Sequence, residues 1–441
     1  MKQQDQAFPD HQQILEQARA GGAGAAELHL SDSTALTVVA RAGDVESVEF
    51  QKDRDLSVTV YMGQRTGHAS TSDWSAAGIQ GALDAALAIA AATGEDPCNG
   101  LAPAERMASE FPELDLNHPW ALAVPEAIEL AKACEAAALA ADPRIKQSEG
   151  ATLETRSGSS LYANSHGFCG RRQGTNHYLG CSVIAQDSRG MQRDYAYTSS
   201  RNPGLLIPGD QVGRQAGQQA AARLGVKKLA QGRYPVLFRA DVARSLIGHF
   251  IGAISGGALY RKSSFLLDSA GKKIFSDNIQ LRQMPFIKGA PSSAAYDSEG
   301  VATSERDLVS DGVLQGYLLS SYSARKLGLE TTGNAGGIYN LLAESTTEAG
   351  ERELLQQMGR GVLVTEMMGQ GANPVTGDYS RGAAGFWVEN GEIQHPVEEI
   401  TVAGNLLEMY KGIAAVGSDV DTRAGIQCGA ILVDGLTVAA G

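Results

Sequence analysis

The sequence predicts an α+β protein that is rich in antiparallel sheet, and three observations lead to this class. Residues 25–70 alternate apolar and polar side chains in short runs separated by Gly, Asp and Ser, which is typical of a meander of antiparallel strands. The stretches VSDGVLQG and FWVENGEIQH place Asp311-Gly312 and Asn390-Gly391 between alternating apolar residues, as two-residue hairpin turns require. Strands and helices do not alternate regularly along the chain, so a doubly wound parallel sheet is not expected.

Residues 1–225 are predicted to form an N-terminal α+β region in two parts. The meander and its flanking helices occupy residues 1–100, and a second helix with strand pairs occupies residues 120–225. The elements expected in order are a helix over 8–20, the meander, an Ala-rich helix over 74–93, a helix over 124–141, strand pairs between 146 and 198, and a helix over 210–224. Asp210 is the expected N-cap of the last helix.

Residues 232–441 are predicted to form a larger, strand-rich C-terminal domain. It opens with the short buried-type strand YPVLFRA, and a helix follows in which Asp241 is the expected N-cap. Gly256-Gly257 is expected to end this helix. Its apolar residues repeat at helical spacing and are Val242, Leu246, Ile247 and Phe250.

Composition and charge narrow the classes of partner and compartment. The 441-residue chain carries a formal net charge of -13 and has no cluster of Lys and Arg, so neither nucleic acid nor an anionic membrane surface is expected as a partner. The amino terminus MKQQDQAFPDHQQ lacks the apolar core of a signal peptide, and no run of about 20 apolar residues follows it. Five cysteines without a paired spacing are typical of free thiols. The sequence therefore predicts a cytoplasmic protein without disulfides.

The helix that begins near Asp241 carries one histidine, His249, among apolar and small residues. One imidazole on an apolar helix is more often a packing residue than a ligand, because a zinc site needs at least three protein ligands. The sequence contains no nucleophile elbow, Walker A loop or strand-bound dinucleotide fingerprint. The residues alone therefore favour a structural role for His249.

The stretch NSHGFCGRRQGTNHYLGC holds an alternative metal candidate. Four side chains that can bind zinc lie within one predicted hairpin, namely His166, Cys169, His177 and Cys181. Their spacing is not that of a common zinc finger. Alternation in an extended strand places His177, Leu179 and Cys181 on one side, so a partly buried sheet face also accounts for them and is the favoured interpretation.

Long strings in the second half resemble one family. They are AISGGALYRKSSFL, SERDLVSDGVLQGYLLSSYSARKLGLETTGNAGG and NPVTGDYSRGAAGFWVENGEIQHPVEEITVAGNLLEMY. Through them the chain resembles the TldD/PmbA family, in particular its PmbA (TldE) branch, over nearly its whole length. The resemblance implies a link to cytoplasmic zinc-dependent cleavage of unfolded peptides and of microcin-type leader peptides. An older family name connects it to modulation of DNA gyrase.

The resemblance also locates a metal helix that has lost its ligands. In the TldD branch this helix carries H-E-x-x-x-H, with two metal-binding imidazoles and a glutamate as general base. Counting back from Arg261-Lys262 without a gap, the corresponding residues here are Gly248, His249 and Ala253. The TldD branch also has a metal-ligating cysteine near its carboxyl end, and Cys428 lies near the end of this chain. Without partner histidines, one thiol is not expected to retain zinc.

The resemblance therefore implies a division of labour between two subunits. This chain is expected to bind no zinc itself, to supply part of a peptide cleft, and to pair with a TldD-type paralogue that supplies zinc and base. Candidate cleft residues are His249, Arg261, Lys262 and Cys428. A heterodimer or larger assembly is expected, with a homodimer when the chain is isolated.

Two alternatives remain open. In the first, the chain is a self-sufficient metallopeptidase that uses the histidines and cysteines between His166 and Cys181, or His249 with Cys428. In the second, it is a non-proteolytic regulator of DNA gyrase or of toxins.

Overall fold

The computed structural model describes residues 8–440 and confirms the α+β class with mainly antiparallel sheets. Residues 1–7, on which part of the expectation about the amino terminus depends, and Gly441 lie outside the described residues. The helices are α1 (His11–Ala20), α2 (Ala76–Ala92), α3 (Val124–Ala140), α4 (Gly209–Ala222), α5 (Ala240–Ala253), α6 (Gly256–Tyr260), α7 (Ser321–Leu327), α8 (Glu351–Met358) and α9 (Leu406–Lys411).

The strands of the first half are β1 (Ala25–Arg41), β2 (Asp44–Met62), β3 (Arg65–Thr71), β4 (Ile145–Asn164), β5 (Cys169–Asp187) and β6 (Gly190–Ser200). Those of the second half are β7 (Gly232–Phe238), β8 (Leu281–Gln283), β9 (Arg306–Ser310), β10 (Val313–Leu314), β11 (Leu341–Ala343), β12 (Gly361–Met368), β13 (Asp378–Glu389), β14 (Glu392–Asn405), β15 (Ile413–Val416), β16 (Ile426–Gln427) and β17 (Ile431–Ala440).

The first half folds around one antiparallel sheet in the order β3-β2-β1-β4-β5-β6. Its first strands are longer than the sequence predicts, because the polar run Ser31–Thr34 suggests a break that does not occur. Within β1, Asp32 lies opposite Arg54 on one side and Ser159 on the other, and the Asp32 and Arg54 side chains form an ion pair at 3.2 Å. Polar partners on both neighbouring strands therefore keep β1 continuous through this run.

Two pairs of helices cover one face of this sheet. α1 and α2 pack on the end that includes Leu28 and Leu30, whereas α3 and α4 pack on the end that includes Val38. Close packing of α4 on α3 requires a glycine, because a Cβ at Gly213 would overlap with the carbonyl of Cys134. Among residues 8–440, no helix packs on the opposite face of the sheet.

The prediction that Asp210 is the N-cap of α4 is wrong. Pro208 occupies the cap position without a side-chain hydrogen bond, and Asp210 lies in the first turn. There Asp210 pairs with Arg214 at 2.6 Å, one turn later. A carboxylate in the first turn still interacts favourably with the helix dipole, which explains why the residue resembles a cap in the sequence.

The second half contains a closed ring of strands. The strands β14, β13, β12, β7 and β17 pair in this order, and additional pairing of β14 with β17 closes the ring. The pair β7–β12 is parallel and the others are antiparallel. A smaller sheet in the order β10-β9-β8-β11-β16 packs beside it.

Both predicted hairpin turns are confirmed. Asp311 and Gly312 join β9 to β10, and Asn390 and Gly391 join β13 to β14. All four residues have positive φ, between 50° and 76°. Both central positions of a two-residue turn need this conformation, so the Asp-Gly and Asn-Gly pairs are explained by the turn.

Two general expectations can be compared with the described residues. Among residues 8–440, no helix is both long and apolar enough to cross a membrane. All five cysteines lie within these residues and are free thiols.

Candidate functional site

α5 begins before the position that the sequence predicts, and its cap is different. Arg239 is the N-cap residue and makes no side-chain cap bond, whereas Asp241 lies in the first turn. The Asp241 carboxylate accepts hydrogen bonds from Arg239 Nε and Nη2 at 2.8 and 2.9 Å. The expectation that Asp241 caps the helix is therefore wrong, and the aspartate is an ion-pair partner instead.

The predicted end of this helix at Gly256-Gly257 is also wrong. α5 ends at Ala253, and Ser255 caps the short helix α6, which Gly256 opens. A Cβ at Gly256 would overlap with the Ser323 side chain of α7, so this glycine allows close approach of the two helices. The glycine pair marks the start of α6 and not the end of α5.

The predicted apolar face of α5 is confirmed. Leu246, Ile247 and Phe250 are fully buried in the main core of the C-terminal domain. Phe250 packs edge-on against Phe275, with ring centroids 5.0 Å apart. This packing fixes the rotation of α5 and therefore the directions of the remaining side chains.

Gly248 and Ala253 provide no atom that could bind a metal. Ala253 is buried, and its carbonyl oxygen accepts a hydrogen bond from Ser264 Oγ at 2.6 Å. Gly248 is less enclosed, because a Cβ added there would meet only Ile426 Cδ1, at 3.8 Å. The residues of α5 therefore do not fit a zinc site, which needs at least three nitrogen, sulfur or oxygen ligands.

His249 is half-buried, and its Nε2 atom has no hydrogen-bond partner among the described residues. The ring packs edge-on against Tyr379 of β13, with centroids 5.8 Å apart. Burial, followed by the positive charge of Arg381, lowers the pKa of His249 below its ordinary value. The ring is therefore neutral at neutral pH and makes apolar contacts.

Cys428 is completely buried, just after β16. Its Sγ atom lies 3.8 Å from the carbonyl oxygen of Ala240, at the start of α5. Burial raises the pKa of the Cys428 thiol to about 12. A protonated, enclosed thiol is a packing group, since both metal binding and nucleophilic attack require the thiolate.

Arg261 and Lys262 follow α6 and are both exposed. Arg261 Nη1 lies 3.1 Å from the Tyr260 hydroxyl, and its guanidinium stacks on the same ring at 5.2 Å. Lys262 has a positive φ of 55°, which turns the chain away from the helix. Neither side chain makes a hydrogen bond or ion pair with His249 or Cys428 in the described structure.

The residues of the alternative metal candidate do not converge. Cys169 and His177 both belong to β5, where their separation corresponds to about 26 Å along an extended strand. His177 is buried and uses both ring nitrogens, since Nδ1 lies 2.8 Å from Thr155 Oγ1 and Nε2 lies 3.0 Å from the His118 carbonyl oxygen. Within residues 8–440, no group of three or more His, Cys, Asp or Glu side chains is placed to hold a metal ion.

A groove lies between the two halves of the protein and reaches the start of α5. Cavities of about 360, 530 and 410 Å³ follow one another between the uncovered face of the N-terminal sheet and the loops 287–298 and 336–339. A fourth cavity, of about 380 Å³, continues to the start of α5 at Arg239 and Asp241. We call this series the interdomain groove.

Arginines fix the two walls of the interdomain groove by donating to backbone carbonyls. Arg201 donates from Nη2 to the carbonyl of Pro291 at 2.6 Å. Arg172 donates to the carbonyl of Tyr296 and stacks on its ring at 3.9 Å. These contacts join β5 and the end of β6 to the C-terminal domain.

Two carboxyl groups line the first cavity of the groove, the buried Asp297 and the partly buried Glu27. Asp297 accepts hydrogen bonds from three backbone amides, those of Glu299, Val301 and Ala335, yet burial raises its pKa to about 7. Glu27 accepts hydrogen bonds from two tyrosine hydroxyls at 2.6 and 2.9 Å, and burial raises its pKa as well. The groove thus combines fixed guanidinium groups with carboxyl groups that titrate nearer neutrality than usual.

Sequence reasoning did not identify the groove, and none of its four cavities is lined by His249, Arg261, Lys262 or Cys428. Arg172 appears in the sequence only as part of a short basic pair. Its partner in the loop at Tyr296 lies 124 positions later in the chain. A contact between a side chain and a distant backbone carbonyl leaves no local pattern.

Three family models match consecutive parts of the chain. They are the PmbA/TldA metallopeptidase domain 1 at residues 26–90, the central domain at residues 117–224 and the C-terminal domain at residues 231–440. The third match includes α5 and the closed ring of strands.

Named relatives match over most of the chain. Metalloprotease PmbA of Escherichia coli O157:H7 is 47% identical over 95% of this chain and 93% of its own length. A metalloprotease PmbA homolog of Haemophilus influenzae is also 47% identical, over 96% and 94% of the two chains.

Solved structures share the fold. A proposed modulator of DNA gyrase from Bacteroides thetaiotaomicron superposes with a TM-score of 0.93 at 27% identity and covers 98% of both chains. TldE from Thermococcus kodakarensis superposes with a TM-score of 0.80 over 98% of this chain and 99% of its own, and at 18% identity it supports the fold alone.

Proposed function

Because the chain belongs to the PmbA/TldD metallopeptidase family, we propose that it is the subunit without a metal site in a two-component zinc peptidase. A TldD-type paralogue supplies the zinc ion and the general base. The substrates are unfolded peptides and leader peptides, which this chain helps to hold.

One observation carries this proposal. The three positions of α5 that correspond to the metal-binding helix are Gly248, His249 and Ala253, and only one of them has a side-chain donor. That donor, the His249 ring, packs on Tyr379, and it belongs to no group of three or more His, Cys, Asp or Glu side chains that could hold a metal ion among the described residues. No step of peptide hydrolysis is therefore assigned to residues of this chain.

The interdomain groove supports a role in holding peptide. It is open along the uncovered sheet face, and the side chains that line it there include Ser31, Ser33, Ser159 and Asn176. Hydroxyl and amide groups can bond to the backbone of an extended peptide whatever its side chains are, which suits substrates of varied sequence.

The first experiment measures the zinc content of the chain. The protein is purified alone, without chelators or a metal-binding tag, and zinc per chain is determined by elemental mass spectrometry. We expect much less than one zinc per chain. About one tightly held zinc would contradict the proposal and support the self-sufficient metallopeptidase, and variants Cys169→Ser and Cys428→Ser would then locate the site.

The second experiment measures cleavage of an unstructured peptide by the chain, by a TldD-type paralogue from the same source, and by their mixture. We expect cleavage by the mixture only. Cleavage by this chain alone, at a rate that scales with its concentration through successive purification steps, refutes the non-catalytic role. If the mixture is inactive while the chain binds gyrase directly, the regulatory alternative replaces the proposal.

A further inference from the structure

Three neighbouring strands leave a hollow in the open face of the N-terminal sheet. Gly158 of β4 lies directly opposite Gly174 of β5 and, on its other side, opposite Ser33 of β1. The two facing glycines put no side chain on the sheet surface, so a ligand can approach the backbone closely at this point. We call this depression, which belongs to the cavity of about 530 Å³, the glycine hollow.

Two guanidinium groups border the glycine hollow. Arg172 precedes Gly174 by two residues on β5 and therefore lies on the same face of the sheet. Arg201 reaches the hollow from the segment that follows β6. A Cβ at Gly174 would lie 2.9 Å from Arg201 Nη1, so the glycine leaves room for this guanidinium. Both arginines line the same cavity as the two glycines.

Neither arginine is neutralised by a carboxylate in the part of the chain that the structure describes. Arg172 and Arg201 donate to backbone carbonyls, and no Asp or Glu of residues 8–440 forms an ion pair with either of them. Arg172 Nε is enclosed and has no hydrogen-bond partner among these residues. Burial lowers the pKa of Arg201, whereas a carboxylate beside it would raise that pKa. Partly buried cations without a counter-charge favour an anionic ligand.

Hydroxyl groups complete the rim of the glycine hollow. Ser31 and Ser33 of β1 and Ser160 of β4 line the cavity, and their hydroxyl groups make no hydrogen bond within residues 8–440. The acidic side chains of β2 lie beyond these serines, three strands from Arg172, which corresponds to about 14 Å across the sheet. Hydrogen-bond donors therefore surround the hollow on the side of β5.

We propose that the glycine hollow binds a carboxylate group of a peptide that lies in the interdomain groove. The Nε and Nη1 hydrogens of Arg172 are free for this ligand, and two donors of one guanidinium match the two oxygens of a carboxylate. The serine hydroxyls donate to the same oxygens or to the peptide backbone. The carboxylate is the C-terminal group of the peptide or an acidic side chain. The choice of a peptide as ligand rests on the function proposed above, whereas the anion site rests on the hollow alone.

Three probe peptides test the site. Each is a short unstructured peptide of glycine, serine and alanine with an uncharged fluorophore at its amino end. The first has a C-terminal amide, the second a free C-terminal carboxylate, and the third a C-terminal amide and one internal glutamate. Fluorescence anisotropy with the full chain gives their dissociation constants.

We expect at least one carboxylate peptide to bind about tenfold more tightly than the neutral amide, because a charge-assisted pair contributes about this much. A gain for the free acid alone assigns the site to chain ends, and a gain for the glutamate peptide alone assigns it to side chains. The net charge of -13 repels anions at long range, so a preference for the carboxylate requires a local site.

The variant Ser160→Asp fills the site with a carboxylate from the chain itself. Ser160 lies directly opposite Arg172, where the Cβ atoms of paired residues are about 4.5–5.5 Å apart, so the new carboxylate pairs with the guanidinium. We expect Ser160→Asp to abolish the preference for the carboxylate peptides. The matched neutral variant Ser160→Asn should keep most of it. Thermal melting checks that both variants are folded.

Equal affinity for the three peptides overturns the proposed carboxylate site, as does a preference that Ser160→Asp leaves intact. A chain that binds none of the three peptides overturns it as well. The function proposed above fails on different measurements, namely the zinc content of the chain and cleavage by the mixture. The two failures are therefore distinguishable.

Discussion

Arg423 of the C-terminal domain stacks on Tyr197 of β6, with its guanidinium 4.3 Å from the centre of the ring. Arg423 Nη1 also donates to the Tyr197 carbonyl oxygen at 3.0 Å. Asp421, whose side chain is only 7% exposed, holds the other side of the guanidinium through two hydrogen bonds of 2.9 and 3.0 Å. One side chain thus joins the edge of the N-terminal sheet to the segment that leads into β16.

Replacing Arg423 should loosen the contact between the two halves. Arg423→Met leaves the buried Asp421 carboxylate with a hydrogen bond from the backbone amide of residue 423, at 3.0 Å, and with the Arg244 guanidinium at 3.7 Å. We expect a loss of about 2–4 kcal/mol in the free energy of unfolding, measured by urea denaturation. The control Arg214→Met removes an exposed pair and should cost about 0.5 kcal/mol or less. Equal losses in the two variants would show that the Arg423 contact contributes no more to the free energy of unfolding than an exposed ion pair.

Asp297 should make the protein less stable as the pH rises toward neutrality. Its pKa is about 7 in the folded protein and 3.8 as a free side chain, so the folded state binds more protons between these values. Stability from this group is therefore present below pH 3.8 and is lost as the pH rises toward 7. From pH 5 to 7.5 the loss is on the order of 2 kcal/mol.

The variant Asp297→Asn isolates this contribution. We expect it to lower stability at both pH values, because the amide cannot accept from all three backbone donors, and to flatten the change between pH 5 and 7.5. The control Asp142→Asn removes a carboxyl group whose pKa is held at about 2 by its hydrogen bonds to Arg144, so it should leave the slope unchanged. If the Asp297→Asn slope equals that of the unmodified protein, Asp297 does not titrate in this range.

His249 and His177 should respond differently to the same substitution. His249→Phe removes an unpaired Nε2 and keeps the edge-on contact with Tyr379, so we expect a change of about 1 kcal/mol or less. His177→Phe breaks bonds from both ring nitrogens and should cost about 2–4 kcal/mol. Thermal melting distinguishes the two. A large loss for His249→Phe would reveal a polar role that the packing does not show.

α5 should tolerate a larger side chain at position 248 but not at position 253. Gly248→Ala should stabilise the helix by about 0.5–1 kcal/mol, because the new Cβ meets only Ile426 at ordinary contact distance. Ala253→His should destabilise the protein by about 1–3 kcal/mol, because the site is buried. Denaturation of both variants measures this. If Ala253→His leaves the free energy of unfolding unchanged, the site around Ala253 has room for an imidazole, and the prediction is wrong.

The sequence predicts most elements of the fold but only part of the site. The turns at Asp311-Gly312 and Asn390-Gly391 are predictable because their backbone conformation strongly restricts residue type. The predictions that Asp210 and Asp241 cap their helices are wrong, because a carboxylate is favourable in the first turn of a helix as well as at the cap. The groove is not predictable, since Arg201 reaches the carbonyl of a residue 90 positions away.

The position of β1 between β2 and β4 has a consequence for synthesis of the chain. When β1 and β2 leave the ribosome, β4 is still about 100 residues from being made, which takes roughly 5 to 20 seconds at typical bacterial or eukaryotic rates. During that interval the inner edge of β1 is bare, and the side chains of Leu36 and Val38 lack their helical cover. Until β4 and α3 have been made, the nascent hairpin therefore exposes a strand edge and apolar side chains that can pair with other chains.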